Sequence, residues 1–460
     1  MVEGHVAVID IGKTNAKLAL VDLANMSELA VITRPNTVLQ SAPWPHFDVE
    51  GHWEFILQGL ADYHRHYGVS AISVTTHGAC VALLAADGSL VAPILDYEFT
   101  GPDMLADAYD AIRPPFSETG SPRLAMGLNV GAQLFWQFQV DPELKTRTKT
   151  IVTYPQYWGH RLTGVAATDV TSLGCHTDLW NPHTGQFSSL VADLDVADKL
   201  AAPRRPGEVL GTVLPDIAGR TGLAPNTRVF CGIHDSNASL LPHILGQQAP
   251  FSVVSTGTWV IAMSIGGQRV ALDPNADTLV NVNALGNAVP SARFMGGREY
   301  DIATGRKNSP IPSETHMQTI LEDGVMLLPA VVTESGPFRG RNARWIGPEP
   351  ALGSPLRKAA VSFYLALVTS RCLKEVGHQG AIIVEGPFAT NRAFLLMLSA
   401  VTKAPVKVSK NMTGTSQGAA MLVDPSDAAV SIETFEPLQP IALRNGMLSY
   451  AEKWLGVLKD

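Results

Sequence analysis

An α/β fold in two domains is what this chain predicts, and three observations predict it. Its 460 residues are too many for one typical hydrophobic core. Apolar runs of strand length alternate with helical stretches through the first half. The opening pattern, an apolar run, a small polar turn and a second apolar run, returns just past residue 250 as FSVVSTGTWVIAMSI. A join at LGQQAP, residues 245–250, gives a domain over 1–245 and a second over 250–445, with 446–460 as a C-terminal tail. Two domains that each open on a phosphate-sized polar turn suggest a duplicated fold facing a cleft.

The bulk composition narrows the partners. Hydrophobic residues make up 46% and charged residues 17%, enough apolar side chain for sizeable cores. The net charge is -8, from 42 acidic against 34 basic residues, and no long basic run stands out. Nucleic acid and anionic membranes are therefore not expected as partners, whereas a small anionic ligand needs only a local site. Cys80, Cys175, Cys231 and Cys372 lie far apart, with no CxxC and no zinc-like spacing, and read as buried reduced thiols. No apolar run approaches the ~20 residues of a membrane span, and no charged-then-apolar leader opens the chain. A cytoplasmic protein is expected, and a homodimer is compatible with all of this.

Strands are expected at Val6–Ile9, Lys17–Val21, Ala71–Thr75, Val81–Ala85 and Leu90–Leu95, the last two joined at the Asp87-Gly88 turn. Helices are expected at Trp53–Tyr67, Gln133–Gln139 and Pro155–Leu162, the third closed by the glycine of RLTG. Asp235 stands at a strand end before an apolar helical stretch. The second half continues with a helix over Leu356–Val376, a strand AIIVEG, a helix over Asn391–Thr402, a strand PVKVS and a glycine-rich TGTSQGAAML.

The polar knot in VAVIDIGKTNAKLALVD carries the first chemistry. Its GKT is not a phosphate-binding P-loop, because that motif needs a glycine where Ala7 stands and a helix where a short apolar run stands. A hairpin turn remains, with Gly12 and Asn15 free to take unusual backbone angles. Its amides, with Thr14 and Asn15, form a compact set of donors for anionic oxygens. Asp10 is placed to hold a counter-cation or a water on it. On these residues alone an ordinary N-terminal hairpin fits as well, and Asp235-Ser236 reads equally as a helix N-cap.

Taken in order, DIGKTNAKLALVD, HRLTGVAATDVTSLG, GIHDSNASLL, VVSTGTW, VEGPFATNRAFLLMLSAVTKAPV and TGTSQGAAML resemble the FGGY carbohydrate kinases. That resemblance implies two actin/hexokinase-like (ribonuclease H-like) α/β domains, mixed central sheets flanked by helices, and an active site in the inter-domain cleft. It implies an ATP-dependent kinase with Mg²⁺ as cofactor. Asp235 would be the general base and would also touch the sugar. Gly12, Lys13, Thr14 and Asn15 from the first domain and Thr256, Gly257 and Thr258 from the second would hold phosphates. Asp10 would bind the nucleotide's metal, and Gly297, Gly386 and Asn391 the rest of the nucleotide. The chain departs from the family at Gly386-Pro387-Phe388, where consecutive glycines are usual and proline removes a donor. It departs again at Lys13, a position more often small or hydroxylic.

For the sugar, the resemblance points to His77 and Gly78, with His77 donating to a hydroxyl, and to Asp96 in ILDYEFTGPD, where Glu98 comes next but one and the family's arginine is missing. Carboxylates accept two hydroxyls at once and repel a substrate already phosphorylated, which favours an uncharged ketose or polyol. The opening motif and STGTW look closest to the deoxyketose branch, so L-fuculose or a near relative is expected. Ketopentoses and tetroses or tetritols (ribulose, xylulose, erythrulose) stay open. The different-class reading is an ATP-driven conformational or assembly protein of the actin-like group, against which the Asp235 segment argues.

Overall fold

The computed structural model describes residues 4–306, 310–409, 414–425, 432–434 and 441–458. The chain forms two compact units. The first comprises Met1–Gly246 with Val280–Ala288 and Thr413–Ala429; the second comprises Gln247–Leu279, Val289–Met412 and Val430–Asp460.

In the first unit, His5–Ile11 and Asn15–Asp22 form an antiparallel hairpin, extended on its far side by Ser27–Pro35. On its near side His5–Ile11 pairs in parallel with Ala71–Thr76, which pairs in parallel with Arg228–Phe230 and then Ile233–His234. Val209–Thr212 closes that edge antiparallel. Ala71–Thr76 is buried along its whole length, as a parallel strand covered on both faces must be. One face packs Ile9, Ile11, Leu18 and Leu20 against Trp53, Ile56 and Leu60 of the helix Val49–Tyr67 and against Trp158 of the helix Tyr154–Thr163. The other packs Val6, Val8, Ala19 and Val21 against Ala238 and Leu241 of the helix Asp235–Gly246 and against Ala419 and Ala420.

The second unit repeats this plan. Phe251–Thr256 and Val260–Ile265 form the hairpin, Ala288–Phe294 extends it, and Ala381–Glu385 and Val406–Ser409 add on in parallel. The helices Pro355–Glu375 and Arg392–Thr402 supply most of the core on one face, among them Phe363, Leu367, Phe394 and Leu398.

Two expectations are corrected. Leu90–Leu95 is not a strand: Leu90 and Leu95 make only isolated bridges, to Leu84 and His46. Val81–Leu84 pairs instead with the distant Thr150–Thr153, so the Asp87-Gly88 turn closes a bend rather than a regular hairpin. Residues 446–457 are not a tail but most of the helix Ile441–Val457. Its Tyr450 hydroxyl and Trp454 indole each donate at 2.8 Å, to the carbonyls of Val325 and Leu327, and both side chains are buried. The four cysteines are buried and form no disulfide. Among the described residues no helix is long and apolar enough to cross a membrane.

Candidate active site

Three parallel strand segments of the first unit end in one row. Ile11 lies beside Thr76, and His234 lies on the other side of Thr76. Each strand end gives way to polar residues: the Gly12–Thr14 turn, His77-Gly78 and Asp235. Carboxyl ends of parallel strands are where α/β sheets gather ligand chemistry.

The third of these segments reaches the row through a break. Val229 pairs with Ile72, but Ile233 pairs with Thr75, so one extra residue is accommodated between them. Gly232 takes φ 92° there, and a side chain on it would stand 2.7 Å from the Val74 carbonyl oxygen. Gln156 fills the hydrogen-bonding gap, donating to the carbonyls of Cys231 (2.8 Å) and Gly232 (3.3 Å). The strand is thereby re-aimed so that Asp235 leaves it as the first residue of a helix.

The backbone just before Asp235 is clamped from below. The His234 amide donates to Thr171 Oγ1 at 3.0 Å, and Thr171 Oγ1 donates to Asp169 Oδ1 at 2.5 Å. Asp169, fully buried, also accepts from the amides of Thr171 and Ser172. Burial raises its carboxyl above the usual range, against these donors. Asp235 Oδ1 accepts from the Ser236 amide at 2.6 Å and lies 3.4 Å from His234 Nε2. Burial raises the Asp235 carboxyl, with His77 and Ser236 opposing it. His234 is pushed down to about 4 by burial and is neutral near pH 7.

The first polar turn is held by a residue that sequence reading passed over. The Asn36 amide donates to the Thr14 carbonyl (2.9 Å), and its side chain donates to the Gly12 carbonyl (2.8 Å). In a planar trans peptide the N–H opposes the C=O, so pinning these carbonyls turns the amides of Lys13 and Asn15 the other way. Asn36 Oδ1 is left as an acceptor for His52 Nε2 (2.8 Å), and His52 Nδ1 accepts from Arg34 (2.9 Å). His52 must be neutral for that pattern, and burial holds it at about 4. Asp10 Oδ2 accepts from Thr415 (2.5 Å) and Ser416 (3.3 Å), with Lys17 at 3.6 Å. Burial raises the Asp10 carboxyl, Thr415 and Lys17 lower it, and the charge of Asp235 raises it further.

In the middle of the row, His77 is enclosed by the rings of Phe47, Tyr154 and Tyr97, 5.0, 5.1 and 5.3 Å away. Its Nδ1 meets the Gly78 carbonyl at 2.9 Å and so carries the hydrogen. Nε2 is then an acceptor, and it is buried without a partner. Burial drives His77 down to about 4, so it accepts from a hydroxyl rather than donating to one. Gly78 leaves room for the His234 ring, which a side chain at that position would strike. Asp96 is buried and ion-paired with Lys13, whose ammonium also lies 3.1 Å from Glu98. Lys13 thus points its charge at Asp96 and Glu98 and leaves only its backbone at the turn.

In the second unit the expected nucleotide residues divide into two groups. Gly257, Thr258, Gly297 and Asn391 line a cavity of about 710 Å³ together with Arg298, Tyr300, Asp301, Ile311, Phe388 and others that sequence reading missed. Thr256 and Gly386 stand behind it. Thr256 Oγ1 donates to the Glu385 carbonyl (2.5 Å) and accepts from the Phe388 amide (3.0 Å), fixing the turn that carries Phe388. Pro387 opens the short 3-10 turn Pro387–Thr390, a position that calls on no amide hydrogen, so its missing donor carries no penalty there. Gly297 is the second residue of the helix Gly296–Thr304, and a side chain on it would come within 2.0 Å of the Gly257 carbonyl oxygen. That approach needs glycine at 297. Asn391 caps the helix Arg392–Thr402 and donates to Ser362, so its amide is already engaged. Glu299, on the back of the Gly296–Thr304 helix, accepts from the Val332 amide (3.0 Å) and the Tyr364 hydroxyl (2.7 Å), and burial raises it to about 7.

Family models match sequence in both units. Residues 5–242 match the N-terminal domain of the FGGY family of carbohydrate kinases, and residues 248–431 match the carbohydrate kinase FGGY C-terminal domain. The chain belongs to the FGGY family of carbohydrate kinases. It is similar to the L-fuculokinase of Salmonella typhi, 25% identical over 457 residues and 92% of each chain. It is similar also to that of Escherichia coli (strain K12), 23% identical over 90% of this chain and 91% of that one. Among solved structures, a carbohydrate kinase from Novosphingobium aromaticivorans shares 35% identity with TM-score 0.91, over 100% of this chain and 99% of that one. A xylulose kinase from Rhodospirillum rubrum, at 20% identity and TM-score 0.78 over 98% of both chains, shares the fold.

The clamp beneath Asp235 and the buried Glu299 of this FGGY kinase can each be tested. Thr171→Val deletes the acceptor for the His234 amide and should lower kcat at least about tenfold while leaving the KM for ATP within about twofold. Thr171→Ser should restore kcat, and equal kcat in both variants would show that the clamp does not matter. Glu299 has a folded pKa above its unfolded value, so its contribution to stability is complete below pH 4.5 and lost as pH rises to about 7. Glu299→Gln removes the charge, keeping an oxygen to accept from the Val332 amide and an NH2 to donate to the Tyr364 hydroxyl oxygen. Its melting temperature relative to wild type should therefore climb between pH 5 and pH 8, a gap of up to about 3 kcal/mol.

Proposed function

We propose that this carbohydrate kinase transfers the γ-phosphoryl group of ATP to a hydroxyl of an uncharged ketose or polyol, with L-fuculose or a related deoxyketose as acceptor. The observation that carries the reading is the meeting of Asp235, His77 and Asp96 in the first unit: a base with a raised pKa, a buried imidazole acceptor without a partner, and a buried carboxylate. Tyr97, the partly exposed ring among the three around His77, offers the apolar surface that a methyl group would need. The likeness to two L-fuculokinases over nine-tenths of the chain favours the same acceptor class.

In this reading Asp235 accepts the hydroxyl proton as the sugar oxygen bonds to the γ-phosphorus, and the bond to the β-phosphate oxygen breaks to release ADP. In the first unit the amides of Lys13, Thr14 and Asn15 and the Thr14 and Asn15 side chains are the donors for phosphate oxygens, and in the second unit Gly257 and Thr258 are. Gly297, Tyr300, Phe388 and Asn391 line the space for the nucleoside, where Ile311, 79% exposed, offers an apolar surface to a base. Thr256 and Gly386 act from behind by shaping that space.

The Asp10 site fits Mg²⁺. Among the described residues no group of three or more His, Cys, Asp or Glu side chains can hold a metal alone, which suits a cation carried on phosphates with one or two carboxylates. Asp10 has one oxygen committed to Thr415 and Ser416, and its raised pKa is relieved by a nearby cation. Mg²⁺, when bound there, offsets charge on the transferring phosphoryl group. A cytoplasmic enzyme is in keeping with these substrates.

A coupled ADP-release assay tests the reading, using Mg-ATP with L-fuculose, L-rhamnulose, both xyluloses, both ribuloses, erythrulose and glycerol. Turnover should depend on sugar and be strongest with L-fuculose. Turnover equal with and without every sugar would instead support an ATP-driven conformational protein. Asp235→Asn should lower kcat by about 10²–10⁴-fold with ATP binding intact. Because the base must be ionised and its pKa is raised, kcat should fall on acidification at a pH above the ordinary aspartate range, and this limb should vanish in Asp235→Asn.

A further inference from the structure

Lys13 belongs to the turn assigned to phosphate, yet its ammonium is elsewhere. The Gly12 carbonyl is tied back by Asn36, which fixes the backbone at Lys13, while the side chain runs toward the acceptor residues. There it pairs with Asp96 and with Glu98 at 3.1 Å, and lies 4.6 Å from the centre of the Tyr97 ring and 5.2 Å from that of Phe47. These are the rings that also enclose His77. The side chain is only 22% exposed, so this is a built position and not a solvated lysine on a loop. A lysine ammonium has three hydrogens. Asp96 accepts one, Glu98 adds its charge at 3.1 Å, and a further hydrogen remains for a ligand.

We propose that Lys13 is an acceptor-site residue, whose remaining N–H donates to an oxygen of the bound sugar and whose charge holds Asp96 ready to accept two further hydroxyls. This rests on the sugar-kinase reading above and names what its acceptor site selects. One ammonium against two carboxylates leaves the position net negative, so aldonates and sugar phosphates are disfavoured. Two aromatic faces add cation–π attraction that holds the ammonium in this position. The field of Lys13 also reaches the His77 and Cys80 side chains, lowering the first and opposing the rise of the second, as a charge seated inside this group must. Because one residue carries a turn amide and an acceptor-site ammonium, seating of the sugar and geometry of the turn are joined through its own backbone.

Steady-state kinetics of Lys13→Met and Lys13→Arg test this, with each substrate varied at saturation of the other and L-fuculose and D-ribulose as acceptors. Lys13→Met should raise the KM of the better acceptor about tenfold or more, the effect of one hydrogen bond to a charged group, with the KM of ATP within about twofold. Lys13→Arg should lie between. In an Asp96→Asn background the Lys13→Met effect should shrink, since the two act as a pair. A raised KM for ATP with an unchanged sugar KM would overturn the proposal and return Lys13 to the phosphates. No change in either KM would also overturn it, leaving a structural ion pair. Melting temperatures of both variants separate these outcomes from misfolding, and calorimetric titration with Mg-ADP gives a nucleotide readout independent of turnover. Wild-type enzyme without sugar-dependent turnover would defeat the kinase reading itself, whereas normal wild-type turnover with unaltered variants defeats only the role of Lys13.

Discussion

Parallel pairing of three strand segments, His5–Ile11, Ala71–Thr76 and Ile233–His234, places Ile11, Thr76 and His234 side by side. Everything chemical in the first unit hangs from that row. Buried strands satisfy their own backbone groups, so the first residues free to present polar atoms are those just past the last paired position. These are the Gly12–Thr14 turn, His77 and Asp235. Their separation along the chain is large, and only the sheet register makes them neighbours. The same register makes the site sensitive: slipping Ile233–His234 by one residue would send Asp235 to the opposite face.

Rigid placement is then reinforced by hydrogen bonds that never touch a substrate. Asn36 pins two carbonyls of the first turn, Gln156 satisfies the bulge before Asp235, and Asp169 with Thr171 holds the His234 amide. In the second unit Thr256 does the equivalent for the turn bearing Phe388. Burial, not pairing, sets the protonation of the central groups. It raises Asp10 and Asp235 and keeps His77 and His234 neutral, so carboxyl and neutral imidazole groups gather in one place.

Much of this was legible in the sequence, for identifiable reasons. The paired hairpins announced themselves because strand alternation and small polar turns are local signals. The family motifs carried Asp10, Gly12, Asp235 and Gly257 because each needs a particular residue type at a particular offset. What was not legible depended on distant pairing. Leu90–Leu95 has strand composition but loses its partner to Thr150–Thr153, which lies some way along the chain. The tail at 446–460 hid a helix whose apolar face is readable only once Val325 and Leu327 are beside it. Asn36, Thr171 and Tyr300 gave no signal because their roles consist of contacts made across the fold. Lys13 was read from its turn, whereas a four-carbon stem lets its charge act well away from its backbone.

The proposed chemistry stands on Asp235 being the group that meets the acceptor hydroxyl. A crystal structure with L-fuculose and a non-hydrolysable Mg-ATP analogue tests this most directly. One sugar hydroxyl should lie within about 2.6–3.2 Å of an Asp235 carboxylate oxygen, with the sugar against His77 and Asp96. A bound sugar whose reacting hydroxyl lies beyond hydrogen-bonding reach of Asp235, and near another carboxylate or none, would contradict that role.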